Sequence, residues 1–289
     1  MRLSRKTQQG FTLVEMIIVM VLTGIIGGMV AIFIRAPVQG YVDSARRAEM
    51  TDVADTAMRR MGRDIRSAAP NSVRVPGGVS TYIEFLPTKA GGRYRADITN
   101  GGTGCTTVAN SNLDFSMADS CFEIIGSPIT FAAGDAIVIG STQSDGSLSY
   151  NTTATGVLRS YTGTVGSQPV VKFTGTQFPA SAELPSQRFQ VVDGTQQAVT
   201  YACTGTLGTL DANQDGQASL VRYANYGFNA VQALPTTPSP PVLADKLSAC
   251  TIDYSAVNAN IGLVAITLTI TRGGENVSLY QEIHVNNIP

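Results

Sequence analysis

The chain has 289 residues, of which 43% are hydrophobic and 14% charged, with 4 cysteines, 1 histidine and no tryptophan. Residues 1–70 hold 10 Lys+Arg against 6 Asp+Glu, whereas residues 71–289 hold 10 against 15. A downstream region acidic by about five charges is a poor match for a phosphate backbone, and no nucleic-acid partner is expected.

The chain begins with a short basic leader carrying Arg2, Arg5 and Lys6, then Gly10-Phe11-Thr12-Leu13-Val14-Glu15 and an apolar run reaching Ile34. Roughly 20 apolar residues suffice for a helix to cross a bilayer. Positive charge on the leader side predicts a cytoplasmic N-terminus. A secretory signal would carry a small-residue cleavage site after the apolar run; none follows Ile34, so the segment is expected to be retained. Glu15 is the anomaly within it. A carboxylate in a membrane helix costs a few kcal/mol or more and is by default a functional group whose partner has to be found.

Gly10-Phe11 followed by Thr-Leu-Val-Glu and a long apolar helix resembles the class III signal of type IV pilins and of the pseudopilins of type II secretion. The resemblance covers about the first 35 residues. It implies that a prepilin peptidase/methyltransferase cleaves after Gly10 and methylates the new amine of Phe11. It further implies that Glu15 of one subunit neutralises that amine on a neighbour in a filament. The physics agrees, because removing one member of a buried charge pair leaves the other uncompensated. The implied partners are the peptidase, other major and minor pilins, an inner-membrane assembly platform, and membrane lipid before assembly. The implied location is a single pass of the inner membrane, N-terminus cytoplasmic and head periplasmic, and afterwards a pilus or pseudopilus.

Helical periodicity continues past Ile34. Val42, Ala45, Val53, Ala57, Met61 and Ile65 recur at a spacing of three or four, and Arg46, Arg47, Asp52, Asp55, Arg59, Arg60, Arg63 and Arg66 mark the other face. Residues 11–68 thus read as one helix of roughly 87 Å, with 11–34 in the membrane and 35–69 amphipathic. Pro37 removes a backbone hydrogen bond and is expected to kink the helix near the membrane exit. Gly24, Gly27 and Gly28 add local plasticity, and Gly24 with Gly28 forms a small-xxx-small pair that permits close helix packing.

After Pro76 the text becomes short β-branched and aromatic runs between turn residues. Strands are expected at Thr81–Leu86, Cys121–Ile125, Ala136–Ile139, Gly156–Tyr161, Val170–Phe173, Arg188–Val192, Ala198–Cys203, Ala218–Tyr223, Cys250–Tyr254, Leu263–Thr271 and Val277–Val285. The last two read as a hairpin through Arg272-Gly273-Gly274-Glu275. Ser141–Thr155 looks too polar to bury, and Leu234–Pro241 looks like an exposed extended connection. Residues 70–289 are expected to form one β-rich head packed on the long helix, an α+β architecture. A division into two subdomains near residue 180 is the alternative.

Cys105, Cys121, Cys203 and Cys250 lie downstream of the apolar segment without a C-x-x-C spacing, which suggests two disulfides in an exported domain. Of three connectivities, Cys105 with Cys121 and Cys203 with Cys250 is favoured, because neighbours in sequence are often neighbours in space. Asp211, Asn213, Asp215 and Gln217 match the start of a calcium loop, D-x-N-x-D-G. The match fails at the twelfth place, where Arg222 stands instead of a bidentate Glu. No cofactor is required, and calcium is the one candidate. His284 alternates with Ile283 and Val285 and is expected to face away from the core. No nucleophile elbow, phosphate loop or zinc-protease motif is present, and an enzyme is not expected.

Asp55–Arg66, Pro70–Val75, Tyr82–Leu86 and Gly134–Gly140 are similar to minor pilin-like biogenesis proteins of the mannose-sensitive haemagglutinin (MSHA) pilus. J-type minor pseudopilins of type II secretion are the related alternative. A head of about 220 residues suits a minor subunit better than a compact major pilin. The resemblance therefore implies a structural role in priming assembly, with a pilus-associated adhesin as the rival.

Overall fold

The computed structural model describes residues 10–97, 104–105, 111–232, 234–236 and 239–289. Arg2, Arg5 and Lys6 lie outside them. The chain forms two compact units, Met1–Glu49 and Met50–Pro289, and the long helix α1 (Leu13–Arg66) contributes to both. The helix continues through Pro37. It ends where the Ser67 and Ala68 amides turn back onto the carbonyls of Asp64 and Ile65. Arg63 and Arg66 in its last turn face the negative end of the helix dipole.

In the second unit, Met50, Ala54, Ala57, Met58, Met61 and Ile65 form the buried stripe of α1. Expected stripe members Val42 and Ala45 are instead exposed, and both belong to the first unit. Met50, Ala54 and Met58 take their place.

The stripe packs on a seven-stranded antiparallel sheet. Its strands are β1 (Val79–Ser80), β2 (Tyr82–Phe85), β11 (Val199–Leu210), β12 (Gly216–Ala224), β13 (Val242–Asp253), β14 (Leu263–Arg272) and β15 (Glu275–His284). Their order is β15-β14-β13-β12-β11-β2, with β1 pairing the far end of β13. Strands β11 to β15 make a meander. In its last hairpin Arg272 pairs with Glu275, so Gly273 and Gly274 alone turn the chain. Both have positive φ, at 59° and 81°, as a two-residue hairpin loop of type I′ needs.

A second sheet joins β7 (Leu158–Ser160), β6 (Ala136–Ile139), β10 (Arg188–Val192), β3 (Thr88–Tyr94), β4 (Cys121–Ile125) and β9 (Val170–Lys172), in that order. A small hairpin pairs β5 (Ile129–Phe131) with β8 (Gly166–Gln168). This half has its own core, running in sequence from Ala69 to Ala198 and rich in aromatic rings. A short helix α2 (Ala256–Asn260) precedes β14. The whole is an α+β protein.

Strands β1, β3, β5 and β8 go beyond the sequence expectation, and β11 and β13 run well past theirs. The segment Ser141–Thr155 also differs, since Ser141, Ser149 and Tyr150 are buried. Burial is tolerated because each finds a partner: Ser141 Oγ and Ser149 Oγ lie 2.7 Å apart, and the Tyr150 hydroxyl donates to the Ser72 carbonyl at 3.0 Å.

The disulfides are Cys105–Cys121 and Cys203–Cys250. The second links β11 to β13, the strands on either side of β12. An ion pair lies between the cores: Arg74 Nε donates to Glu84 Oε2 at 2.6 Å, with side-chain exposures of 7% and 1%. The remaining guanidinium nitrogens reach the carbonyls of Ala230 and Asn229, and the Tyr226 hydroxyl satisfies the other Glu84 oxygen at 2.9 Å. Such a pair is tolerable only when its remaining donors and acceptors are met, as here.

Candidate assembly site in the N-terminal segment

From Phe11 to Ile34 the apolar side chains are exposed among the described residues. Phe11 is 82% exposed, Ile32 75% and Phe33 84%, and the apolar window of α1 is long enough to cross a membrane with none of it buried. An uncovered apolar surface of this extent marks contact with lipid or another chain. Thr23 fits such surroundings, since its hydroxyl donates to the Val19 carbonyl at 2.6 Å and needs no water. At Gly24, Gly27 and Gly28 an added Cβ would meet nothing within 4 Å, so their small size serves no contact among the described residues.

Thr12 and Glu15 together start the helix. The Glu15 amide donates to Thr12 Oγ1, while the Thr12 amide and hydroxyl both approach Glu15 Oε2, each at 3.3 Å. This is the reciprocal arrangement of a capping box, which satisfies two of the donors a helix N-terminus leaves open. Thr12 was not singled out from the sequence, although Thr-x-x-Glu before an apolar run is the signal for it. Glu15 therefore has a partner within its own chain.

The motif comparison bears on these same residues. Residues 5–31 match the family model of the prokaryotic N-terminal methylation motif. No curated protein and no solved structure matches the chain. The methylation motif supports a type IV pilin-like or pseudopilin subunit, and with it processing by a prepilin peptidase and assembly with other pilins. Proteins of this kind are structural subunits rather than enzymes. The motif and the long apolar helix together fit membrane anchoring.

Of the candidate calcium residues, Asp211, Asn213 and Asp215 occupy the turn between β11 and β12, and Gln217 lies on β12. Asp211 Oδ1 accepts the amides of Asn213 and Asp215, both at 2.8 Å, closing the turn on itself. Asp215 holds Lys246 Nζ at 2.6 Å on one oxygen and the Gly273 amide at 2.7 Å on the other. The Lys246 hydrogen bond, followed by the Gly273 amide, keeps the Asp215 carboxyl below the usual carboxylate range. Calcium here would have to displace an ammonium group, so the residues do not fit the ion. His284 is exposed between buried Ile283 and Val285.

Proposed function

We propose that this chain is a minor pilin-like subunit of a type IV filament of the MSHA kind, similar to the biogenesis protein MshO, and that it helps to initiate the filament. Cleavage after Gly10 and methylation of the Phe11 amine produce the mature chain. The apolar helix then holds it in the inner membrane with its N-terminus cytoplasmic and its head periplasmic, until the assembly platform passes it to other major and minor pilins. The observation that carries this reading is the methylation motif at the head of an apolar helix that the chain itself leaves uncovered. Similarity at Asp55–Arg66 and Gly134–Gly140 favours the MSHA assignment over a J-type pseudopilin.

Glu15 supplies the mechanism. Before assembly its carboxylate is held by the Thr12 amide and hydroxyl at 3.3 Å; in the filament it turns to the methylated amine of a neighbouring subunit. That amine is a positively charged donor, whereas the Thr12 amide and hydroxyl are neutral, so it adds a Coulombic attraction to the hydrogen bond. The exchange gives both charges a partner, so neither is left uncompensated between packed helices.

The test is a pair of variants in the native host. Gly10→Leu should leave the leader attached, and mass spectrometry of the wild type should find methylated Phe11 as its first residue; any other mature terminus overturns the reading. Glu15→Ala should keep the melting temperature of the head yet cut incorporation into sheared filaments at least tenfold. Wild-type piliation with this variant would sink the charge-pair argument. Crosslinking from α1 should capture pilins of an MSHA-type pilus; secretion pseudopilins instead would assign the chain to type II secretion.

A further inference from the structure

One face of the six-stranded sheet opens into a cleft of about 570 Å3, lined by Arg66, Lys89, Arg93 and Arg188 among others, with no acidic side chain in its lining. This basic pocket sits in a region that is acidic by about five charges. Lys89 is neutralised by buried Asp135. Arg66, Arg93 and Arg188 have no carboxylate partner among the described residues, and Arg93 makes only a long hydrogen bond, 3.4 Å, to Gln187 Oε1.

Two features of the cleft run against ordinary sheet construction. Arg188 of β10 stands directly opposite Arg93 of β3 in the ladder, and like charges facing each other across strands are destabilising. Two residue pairs further on, Gln190 faces Gly91, and its Oε1 is buried without a hydrogen-bond partner among the described residues. An unmet buried acceptor is destabilising. Gly91 and Gly92 keep the floor between these groups flat. A Cβ at Gly92 would also come within 2.9 Å of the Phe189 ring below it.

A single kind of ligand answers both defects. It must bring an anionic group to the guanidiniums and a hydroxyl donor to Gln190. We propose that this cleft binds an acidic saccharide, whose carboxylate or sulfate sits between Arg93 and Arg188 while the Gln190 side chain, its Oε1 closed to solvent as it stands, turns outward to accept a ring hydroxyl. Planar guanidinium forks suit a carboxylate or sulfate through paired hydrogen bonds. A nucleic acid is disfavoured, because Phe189, the one aromatic residue in the lining, is buried and cannot stack on a base. The proposal stands on the head alone and does not depend on how the chain assembles.

The test is isothermal titration calorimetry of the full-length protein in detergent micelles against trigalacturonate, with maltotriose, hexaglutamate and inorganic phosphate as comparisons. Trigalacturonate should bind and maltotriose should not. Arg188→Gln and Gln190→Met should each weaken binding at least tenfold while the melting temperature stays at or rises above that of the wild type, and Arg93→Gln takes the place of either variant that fails to fold. The proposal is overturned by no binding of trigalacturonate, by hexaglutamate or phosphate binding as tightly, or by folded variants that bind like the wild type.

Discussion

The two cores of the head bury their residues by different routes. The core around α1 is aliphatic and methionine-rich, and the sheet covering it is mostly a meander of long neighbouring strands. The core beyond it is aromatic, and its sheet order, β7-β6-β10-β3-β4-β9, repeatedly joins strands distant in sequence. Short strands with non-local pairing gain little from local contacts and must close long loops before they are rewarded. Large rings compensate. Phe122 alone meets Tyr94, Phe173 and Phe189 at centroid distances of 6.0, 5.8 and 5.0 Å, contacts worth about 0.5–1.5 kcal/mol each beyond burial.

If the contrast is real, the largest effect should come from the aromatic side. Phe122→Ala should cost about 3–5 kcal/mol. Hydrogen exchange should show protection lost first in β4, β9 and β10 while β12 to β14 hold. Simultaneous loss everywhere would mean that the Arg74–Glu84 pair joins the cores into one cooperative unit.

The disulfides allow a second comparison. Cys203–Cys250 closes a separation of 47 residues and Cys105–Cys121 one of 16. By chain entropy these correspond to about 4 and about 3 kcal/mol. Urea unfolding of the two Cys-to-Ala double variants should rank them in that order; the reverse order would show that the short link is supporting the non-local sheet.

The smallest effect lies in alkali. Burial pushes up the phenols of Tyr150, Tyr201 and Tyr226, whereas an unfolded tyrosine ionises near pH 10. The folded state then keeps protons that the unfolded state sheds. Stability is intact below about pH 10 and falls as pH rises further, by about 1.4 kcal/mol per pH unit per phenol. Arg159, buried and pushed down to about 10, works the other way above that pH, but three phenols outweigh one guanidinium. Tyr201→Phe should reduce the slope by about 1.4 kcal/mol per pH unit, as read by urea midpoints between pH 9 and 11.

Legibility in the sequence follows the same division. The hairpin at Gly273-Gly274 and the strands at Cys121–Ile125 and Arg188–Val192 are plain, because β-branched runs end at unambiguous turns. Thr88–Tyr94 is not. Its Lys, two glycines and Arg carry no strand propensity, and it forms a strand because β10 and β4 flank it. The amphipathic stripe was readable in outline, but its start at Met50 depends on where the sheet begins to cover α1, which periodicity does not encode. At the N-terminal segment, Gly10, Phe11 and Glu15 stand out by charge and motif. Thr12 does not, because a membrane carboxylate points to a partner on another chain rather than to the amide three residues back.

The turn at Asp215 has a consequence for anyone who wishes to tag this protein. Hairpin tips are the usual place to insert an epitope, since an exposed turn tolerates extra residues. Here the β11–β12 tip is tied to the β14–β15 tip by the Asp215 carboxylate on the Gly273 amide and by the Gly274 amide on the Gln214 carbonyl at 3.0 Å. An insertion at either would free both, so the two tips have to be treated as one closed clasp.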